Sequence, residues 1–389
     1  MTKQQLRILG VMTGTSCDGL DAACIQIDAR KWTPLWNASL PYPKSLRTRV
    51  LRFQLPKTRH TSRDWLELHR DLGDWYGTTL KKLILKNELC PDLIANHGQT
   101  VAHFPAKNSK GMSLQMGDSS RIAAITGLSV ASHFREGDLA VGGQGAPLVP
   151  LFHRLLLKLF HKKSSGVAIH NLGGMSNLTY IGPKDLVLGF DTGPANVWID
   201  AATVKVTKGK QNIDWNGNLA AQGQVDSRAL REILHHPYFS KPAPKSTGRD
   251  EFPFSYFTAR TKARGPSLVA TATEVTVESI ARAYEDCIFK NHLPLHSISF
   301  CGGGAKNQTL MKRLATRFPQ INITTLDQQG LNSQFIEAQA FAYFGYLTLL
   351  GKPLGGPWTG AKEGGPPGHL IPGQNWAALM KKVLRHQEH

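Results

Sequence analysis

The sequence has 389 residues, 41% hydrophobic and 19% charged, which is typical of a globular protein of about two domains. Its net charge of +18 is not combined with a recognisable nucleic-acid module, so we do not expect nucleic acid as a partner. An anionic small-molecule substrate and cofactor, or simply a basic host proteome, explains the charge. No apolar run approaches the roughly 20 residues of a membrane span, and the start lacks the features of a signal peptide, so we expect a cytoplasmic protein without membrane contact.

Hydrophobic periodicity predicts an α/β protein in which each half opens with a strand, a glycine-containing turn and a second strand. This repeat favours two domains of mixed sheet with flanking helices around a central cleft. In chain order we predict strands at Leu6–Met12 and Ala22–Ile27, a helix over Trp65–Leu83, strands at Leu93–Asn96 and Ser129–Ser132, a helix over Pro147–Phe160, strands at Gly166–His170, Leu178–Ile181 and Leu186–Phe190, a helix over Val277–Ile288, a strand at Ile298–Phe300, and helices over Phe335–Leu350 and Trp376–Arg385.

Three glycine-rich turns follow predicted strands, at Gly14–Gly19, Asn171–Asn177 and Cys301–Gly304. Each turn alone is compatible with an ordinary hairpin whose positive-φ positions need glycine. Three such turns in one chain favour phosphate binding, because exposed backbone N–H groups form concave sites for anions. None fits the Walker pattern, so a P-loop protein is not expected. Asp18 adds a carboxylate that could hold Mg²⁺ directly or through water.

Asp191 directly follows the predicted strand Leu186–Phe190 and precedes Thr192-Gly193-Pro194. Two interpretations stay open for its carboxylate. It could form an Asx-turn or cap a helix, which is common for Asp at such a position. It could also act as a general base, because a rigid strand end can hold a carboxylate within reach of a nucleophile.

Four further polar residues stand beside apolar segments. His97 and Gln99 follow a predicted strand and could face the cleft, although His97 could equally be a satisfied core histidine. Arg135 could bind a carboxylate with two parallel hydrogen bonds or form an ordinary surface ion pair. Glu337 lies in an apolar helix, so we expect it to face either a partner or a polar cleft.

Ten segments in this sequence resemble, in the same order, those of the anhydro-N-acetylmuramic acid kinase family. The resemblance covers nearly the whole chain, and its glycine-rich run ending in Pro150 is very specific. The segments are Gly14–Asp21, His97–Thr100, Gln115–Asp118, Phe134–Arg135, Gly142–Pro150, Asn171–Gly174, Gly189–Pro194, Lys245–Arg249, Cys301–Asn307 and Glu337–Ala342.

The resemblance implies a bilobal actin-like ATPase fold of the ribonuclease H-like type, with one domain over residues 1–131 and 351–389 and a second over 132–350. It implies a homodimeric enzyme that uses ATP and Mg²⁺. The reaction would convert 1,6-anhydro-N-acetylmuramic acid and water into N-acetylmuramic acid 6-phosphate, in peptidoglycan recycling and amino sugar catabolism. The alternatives are a kinase of the same fold acting on another amino sugar, and an ATP-binding homologue without catalysis.

The resemblance also implies a role for individual residues. Asp191 matches the catalytic base, and Asp18 would hold Mg²⁺. The sequence departs from the family's usual residues at Cys17, at His133 in place of aspartate, and at Ala195 in place of glycine. The implied ATP contacts are Gly14, Thr15, Ser16, Cys17, Asp18, Gly19, Leu20, Asp21, Gly173, Gly174, Asn177, Gly302, Gly303, Gly304 and Asn307, and the implied sugar contacts are His97, Gln99, Arg135, Asp191 and Glu337.

Overall fold

The computed structural model describes residues 5–14, 17–27, 32–55, 58–104, 111–160 and 165–387. The chain forms two compact units, which we call unit 1 (Met1–Phe152 with Phe335–His389) and unit 2 (His153–Gln334). The expected domain division differs from these units, because it placed residues 132–152 and 335–350 in the second domain. Both segments belong to unit 1, where the second of them forms a helix packed on the sheet.

The described residues form the following strands and α-helices. The strands are β1 Leu6–Thr13, β2 Gly19–Ile27, β3 Trp32–Pro41, β4 Leu93–Phe104, β5 Met112–Met116, β6 Ser129–Ser132, β7 Val167–Leu172, β8 Met175–Ile181, β9 Val187–Pro194, β10 Ser297–Cys301, β11 Asn322–Thr325 and β12 His369–Ile371. The helices are α1 Lys44–Phe53, α2 Ser62–Lys86, α3 Ser119–Thr126, α4 Glu136–Ala140, α5 Pro150–Phe160, α6 Asn196–Val206, α7 Asn218–Gln222, α8 Ser227–Leu234, α9 Phe254–Thr258, α10 Pro266–Cys287, α11 Gln308–Arg317, α12 Ile336–Leu349 and α13 Trp376–Gln387.

Unit 1 contains a mixed sheet of strand order β12-β6-β4-β1-β2-β3, with β5 paired to β4. The predicted hairpin of β1 and β2 is confirmed by their antiparallel pairing, while β1, β4 and β6 are parallel. Helix α12 lies directly on β1, because both surfaces carry small residues. A Cβ atom on Gly10 would lie 1.9 Å from the Ala338 carbonyl oxygen, and one on Gly345 would lie 2.7 Å from Ala95 Cβ. This alanine-rich helix therefore belongs to unit 1.

Unit 2 repeats the same plan with the order β11-β10-β7-β8-β9. Its three consecutive strands β7, β8 and β9 pair antiparallel, and β10 and β11 extend the sheet in parallel with β7. The long helix α10 buries apolar residues along most of its length in the core of this unit. The predicted α/β class with mixed sheets is confirmed, and the repeated strand order fits the expected ribonuclease H-like fold.

Two strands extend further than the sequence predicted. β4 continues through His97–Thr100 because Gln99 pairs with Thr13 on one side and with Met116 on the other. β9 continues through Asp191 because that residue pairs with β8. Both segments, which directly follow the predicted strands, are therefore parts of those strands. Among the described residues, no helix combines the length and apolar character that crossing a membrane requires.

Candidate active site

One edge of the unit 2 sheet brings together most of the residues predicted for that half of the chain. Strands β7, β9 and β10 run parallel, so their carboxyl ends lie at the same edge. The Gly173–Gly174 turn follows β7 there, and the Gly302–Gly304 turn follows β10. Asp191 lies near the end of β9, opposite Asn177 at the start of β8. Open α/β sheets bind ligands outside the carboxyl ends of their strands, so this edge is the candidate site of unit 2.

Asp191 is held by its main chain and by one carboxylate oxygen. Its N–H donates to the Lys245 carbonyl at 3.0 Å, and its own carbonyl accepts from the Tyr238 hydroxyl at 2.6 Å. Oδ2 accepts from the Thr247 N–H at 2.9 Å. Burial raises the pKa of Asp191 to about 7, against the lowering effect of the Thr247 bond. The carboxylate caps no helix, because α6 begins at Asn196 with Ala195 in the cap position.

A β-bulge lies directly beside Asp191. Asn177 pairs with Asp191, but the preceding Ser176 pairs with Gly193, so Thr192 is an extra residue in β9. Such a bulge bends its strand and re-aims the neighbouring side chains. The local geometry of the Asp191 carboxylate is therefore set by the bulge, which the sequence pattern did not predict.

The bulge rests on a buried chain of hydrogen bonds. The Thr192 hydroxyl donates to Ser176 Oγ at 2.8 Å, and Ser176 Oγ lies 2.6 Å from His170 Nε2. His170 Nδ1 in turn lies 3.2 Å from the Tyr284 hydroxyl. Burial lowers the pKa of His170 to about 3, so the imidazole is neutral and acts as both donor and acceptor. These contacts hold the bulged strand beside Asp191 in place.

The glycines of the two turns differ in how closely the surrounding atoms approach them. Gly174 is exposed, and a Cβ atom there would meet nothing within 4 Å. Gly302 has φ +81°, and a Cβ atom there would lie 2.4 Å from Asn171 Oδ1. Asn196 joins the turns, since its Nδ2 donates to the Leu172 carbonyl at 2.8 Å and is the nearest atom to a Cβ built on Gly303. The exposed backbone around Gly174 and Gly303 therefore suits a ligand rich in acceptor oxygens.

Gly304 and Asn307 have structural reasons for their identity. Gly304 is buried, and a Cβ atom there would lie 2.7 Å from Leu172 Cβ. Asn307 Oδ1 accepts from the Leu310 N–H at 3.0 Å and caps helix α11. Gly304 and Asn307 thus have structural roles beside the Gly302–Gly304 turn. The Asn307 Oδ1 atom already accepts the hydrogen bond that caps helix α11.

In unit 1, the predicted phosphate segment begins at the end of β1. Thr15 and Ser16 lie outside the described residues. Cys17 is buried with φ +56°, and its N–H donates to the Gly14 carbonyl at 3.1 Å. Arg47 Nε donates to the Cys17 carbonyl at 2.9 Å. Burial raises the pKa of Cys17 to about 11, so its thiol is a neutral core group, and only the backbone of this residue is left for the ligand contact that the resemblance implies.

The second part of this segment enters β2. Asp18 is exposed over 78% of its side chain and lies 3.6 Å from Arg47 in a loose ion pair. Leu20 is fully buried in the core, while Gly19 packs where a Cβ atom would lie 2.2 Å from the Leu40 carbonyl oxygen. Asp21 is half-buried, and burial raises its pKa. Among these residues, only Asp18 offers an accessible carboxylate for a cation.

Gln99 is fully buried and holds the Gly14 carbonyl in place. Its Nε2 donates to the Gly14 carbonyl at 3.1 Å, and its Oε1 accepts from the Tyr42 hydroxyl at 2.9 Å. Tyr42 continues to the Tyr76 hydroxyl at 2.7 Å. The amide is therefore committed to protein groups, and its expected sugar contact becomes an indirect effect through Gly14.

His97 and Arg135 form a pair in unit 1. Arg135 donates from Nε and Nη2 to His97 Nε2 at 3.3 and 3.0 Å, and from Nη1 to the Gly145 carbonyl at 2.7 Å. His97 is 3% exposed and stacks against Phe341, with ring centroids 4.4 Å apart. Burial, followed by the charge of Arg135, holds the pKa of His97 well below its usual value. A neutral His97 thus accepts from Arg135 and orients it.

Glu337 lies in the first turn of α12 with an exposed side chain. The surrounding protein raises the pKa of Glu337 above its usual value, against the lowering effect of the Arg135 charge. The Asp21 charge adds a smaller rise. Burial lowers the pKa of Arg135 to about 10, against the charges of Glu337 and Asp138. These groups form one electrostatically coupled cluster. Glu337 is polar because it faces solvent beside this cluster, although most of its helix is buried.

The sequence is similar to known proteins over most of its length. The family model for anhydro-N-acetylmuramic acid kinase matches residues 6–372. The chain is similar to an anhydro-N-acetylmuramic acid kinase of Gloeobacter violaceus, at 39% identity over 94% of this chain and 98% of the relative. It is also similar to one of Idiomarina loihiensis, at 38% identity over 92% and 96%. The solved xylulose kinase of Rhodospirillum rubrum aligns over 98% of this chain and 97% of its own, at 10% identity and a TM-score of 0.43.

Proposed function

The chain belongs to the anhydro-N-acetylmuramic acid kinase family, and from that membership we propose how its own residues perform the reaction. The protein is an ATP-dependent kinase that opens 1,6-anhydro-N-acetylmuramic acid and phosphorylates O6, which gives N-acetylmuramic acid 6-phosphate and ADP. One observation carries the mechanism: the Asp191 carboxylate is fixed at the strand edge with its pKa raised to about 7.

Asp191 serves as the general base. A base works best when its pKa lies near the working pH, since it must both take up and release a proton. Oδ2 is held by the Thr247 N–H at 2.9 Å, and Oδ1 has no hydrogen-bond partner among the described residues. Oδ1 is therefore the atom that receives the proton, while the Thr247 bond and the bulge at Thr192 keep the carboxylate in one orientation.

The chemistry follows from a single proton relay. Asp191 removes a proton from water as the water oxygen attacks the anomeric carbon. The bond between that carbon and bridging O6 breaks, and O6 receives the proton that Asp191 took up. As O6 attacks the γ-phosphorus, its proton returns to the Asp191 carboxylate, which later releases it to solvent. The bond between the γ-phosphorus and the β,γ-bridging oxygen breaks, which releases ADP. Inverting glycosidases use a second carboxylic acid to protonate the leaving oxygen. Here Asp191 itself returns the proton to O6, and phosphoryl transfer then caps that oxygen.

The glycine turns bind ATP through their backbones. In unit 2, the exposed N–H groups around Gly174 suit phosphate oxygens, and the Gly303 and Asn196 region suits the nucleoside. In unit 1, the backbone at Gly14 and Cys17 binds phosphate, and Gln99 holds the Gly14 carbonyl. Asp18 fits Mg²⁺ because its carboxylate is exposed and only loosely paired with Arg47. When bound, Mg²⁺ neutralises phosphate charge during transfer.

Arg135 binds the carboxylate of the sugar's lactyl group. Its bonds to His97 and Gly145 fix the guanidinium plane and leave further N–H groups for a ligand. Glu337 accepts a hydroxyl or amide hydrogen of the sugar. His97 acts by orienting Arg135. Arg135 and Glu337 also balance each other's charge before the substrate arrives.

The test is product analysis in ¹⁸O-labelled water with MgATP and 1,6-anhydro-N-acetylmuramic acid. We expect a 6-phosphate that carries ¹⁸O at the anomeric position. Asp191→Asn should form no product while binding ATP normally, and turnover by this variant would refute the assignment of the base. Asp200→Asn is the matched control, because burial also raises the pKa of Asp200, to about 6, but that residue lies within α6. Phosphorylation of ring-opened N-acetylmuramic acid would instead identify a kinase of another sugar class.

We also propose that the protein works in the cytoplasm as a homodimer with Mg²⁺ as its metal. The family resemblance supports these points. Light scattering of the purified protein tests the dimer, cell fractionation tests the location, and titration of the EDTA-treated enzyme with Mg²⁺ tests the metal. A monomer at enzyme-assay concentrations, a membrane-bound fraction or metal-independent turnover would contradict the corresponding point.

A further inference from the structure

Three potential metal ligands that the reaction does not use lie together at the end of β6. They are His133, Glu136 and His369, and their ligand atoms all lie within 4.8 Å of one another. His133 Nδ1 is 2.7 Å from Glu136 Oε1, and His369 Nε2 is 3.3 Å from Glu136 Oε2. The two imidazole rings stack with centroids 4.8 Å apart. We propose that these three side chains form a binding site for a divalent transition metal, with Zn²⁺ as the expected ion.

The backbone brings the three residues together from two distant parts of the chain. His133 follows β6 directly with φ +57°, and Glu136 is the first residue of α4, three positions later. His369 begins β12 and pairs with Ser132, the last residue of β6. His133 and Glu136 therefore come from one tight turn, and His369 lies beside them because β12 pairs antiparallel with β6. This placement depends on main-chain pairing and not on the flexible ends of the side chains.

The ligand chemistry selects the class of metal. Two imidazoles and one carboxylate suit zinc and similar ions, with water in the fourth position, whereas Mg²⁺ and Ca²⁺ prefer oxygen ligands. Tetrahedral zinc, with bonds of about 2.0–2.1 Å, places its ligand atoms about 3.3–3.5 Å apart. The side chains of His133, Glu136 and His369 are 31%, 41% and 56% exposed. They therefore have room to change rotamer and bring their ligand atoms to these separations.

A bound metal would link β12 to the β6–α4 turn. β12 is an edge strand of three residues and gains little stability from so few ladder bonds, so the metal would act as a cross-link for the C-terminal part of unit 1.

The experiment uses the full-length, untagged chain after EDTA treatment and dialysis. Calorimetric titration with ZnCl₂ should show one tight site per chain, and Co²⁺ should give the absorption bands of a tetrahedral site. Titration with MgCl₂ should show no binding that competes with zinc. His133→Asn, Glu136→Gln and His369→Gln should each weaken zinc binding at least tenfold, because even loss of a second-shell partner typically costs about 10- to 100-fold. Asparagine suits position 133 because it tolerates positive φ.

His292→Asn is the matched control. His292 is also an exposed histidine with positive φ, at +54°, and belongs to unit 2. This variant should bind zinc as the unchanged protein does, and zinc should raise the Tm of both but not that of His133→Asn. Tm values without zinc show whether each variant is folded. Absence of zinc binding by the unchanged chain, or unchanged zinc affinity in both histidine ligand variants, would overturn the proposal.

Discussion

Replacing Asp191 with asparagine should remove activity and, at the same time, stabilise the folded protein at neutral pH. Burial raises the pKa of this carboxyl from 3.8 to about 7. A difference of about three pH units at about 1.36 kcal/mol each gives about 4 kcal/mol. Because Asp191 is partly exposed, we expect about 2–3 kcal/mol of this to be observed. Asparagine is isosteric and keeps the bond from the Thr247 N–H, so the gain reflects removal of a partly desolvated charge.

The pH dependence follows from the direction of the shift. The pKa of Asp191 is higher in the folded than in the unfolded chain, so the folded chain retains a proton that the unfolded chain loses first. The stabilising contribution of this group is present below about pH 4 and is lost as the pH rises to about 7. The free energy of unfolding of Asp191→Asn should therefore exceed that of the unchanged protein by an amount that grows from pH 4.5 to 7 and then stays constant.

Urea unfolding at a series of pH values measures this difference, with Asp200→Asn as a second buried carboxyl for comparison. In parallel, kcat/KM of the unchanged enzyme should rise with pH and level off above about pH 7, because the base must be ionised to accept a proton. A variant of Asp191 that is no more stable than the unchanged protein at pH 8 would refute the reasoning. So would a stability difference that is the same at every pH.

Two further predictions concern the glycine turns and the sugar site. Gly302→Ala should lower the free energy of unfolding by at least about 2 kcal/mol, because residue 302 has a φ of +81° and its Cβ would lie 2.4 Å from Asn171 Oδ1. Gly174→Ala should change the free energy of unfolding by less than about 0.5 kcal/mol and weaken ATP binding instead, because a Cβ there meets nothing within 4 Å. Urea unfolding and calorimetry with ATP separate these effects, and equal stability loss in both variants would contradict them. Arg135→Lys should raise the KM for the sugar by about 10- to 100-fold while leaving ATP affinity unchanged, because lysine cannot form the paired bonds to His97 and to a carboxylate. An unchanged sugar KM would remove Arg135 from the site.

Much of the fold was predictable because the strands of both sheets carry long apolar runs. The hairpin of β1 and β2 and the helix over 336–349 follow directly from such patterns. Three strands of unit 1, β3, β5 and β12, were not predicted because they are partly polar, and β12 in addition pairs with β6, which is distant in sequence. The true ends of β4 and β9 were missed because each strand continues past polar but paired residues, Gln99 and Thr100 in β4 and Asp191 in β9.

The candidate site was predictable where residue type alone indicates chemistry, as for Asp191 and the glycine turns. The supporting groups were not predictable. His170, Ser176 and Thr192 act through contacts that depend on a bulge, and nothing in their sequence spacing marks them. Gln99 was singled out for its polarity at a strand end, yet burial gives it a different task, the fixing of the Gly14 carbonyl.

The discontinuity of unit 1 has a consequence for synthesis of the protein. Unit 2 is one continuous stretch, His153–Gln334, whereas unit 1 needs α12, which lies on β1 and β2 but is made only after all of unit 2. At about 5–20 residues per second, residues 153–334 take roughly 9–36 s to synthesise. During that time, the face of β1 around Gly10 that α12 will cover is already made, while α12 is not. The nascent chain therefore holds an uncovered apolar surface until α12 leaves the ribosome, and this interval is when a chaperone would be needed.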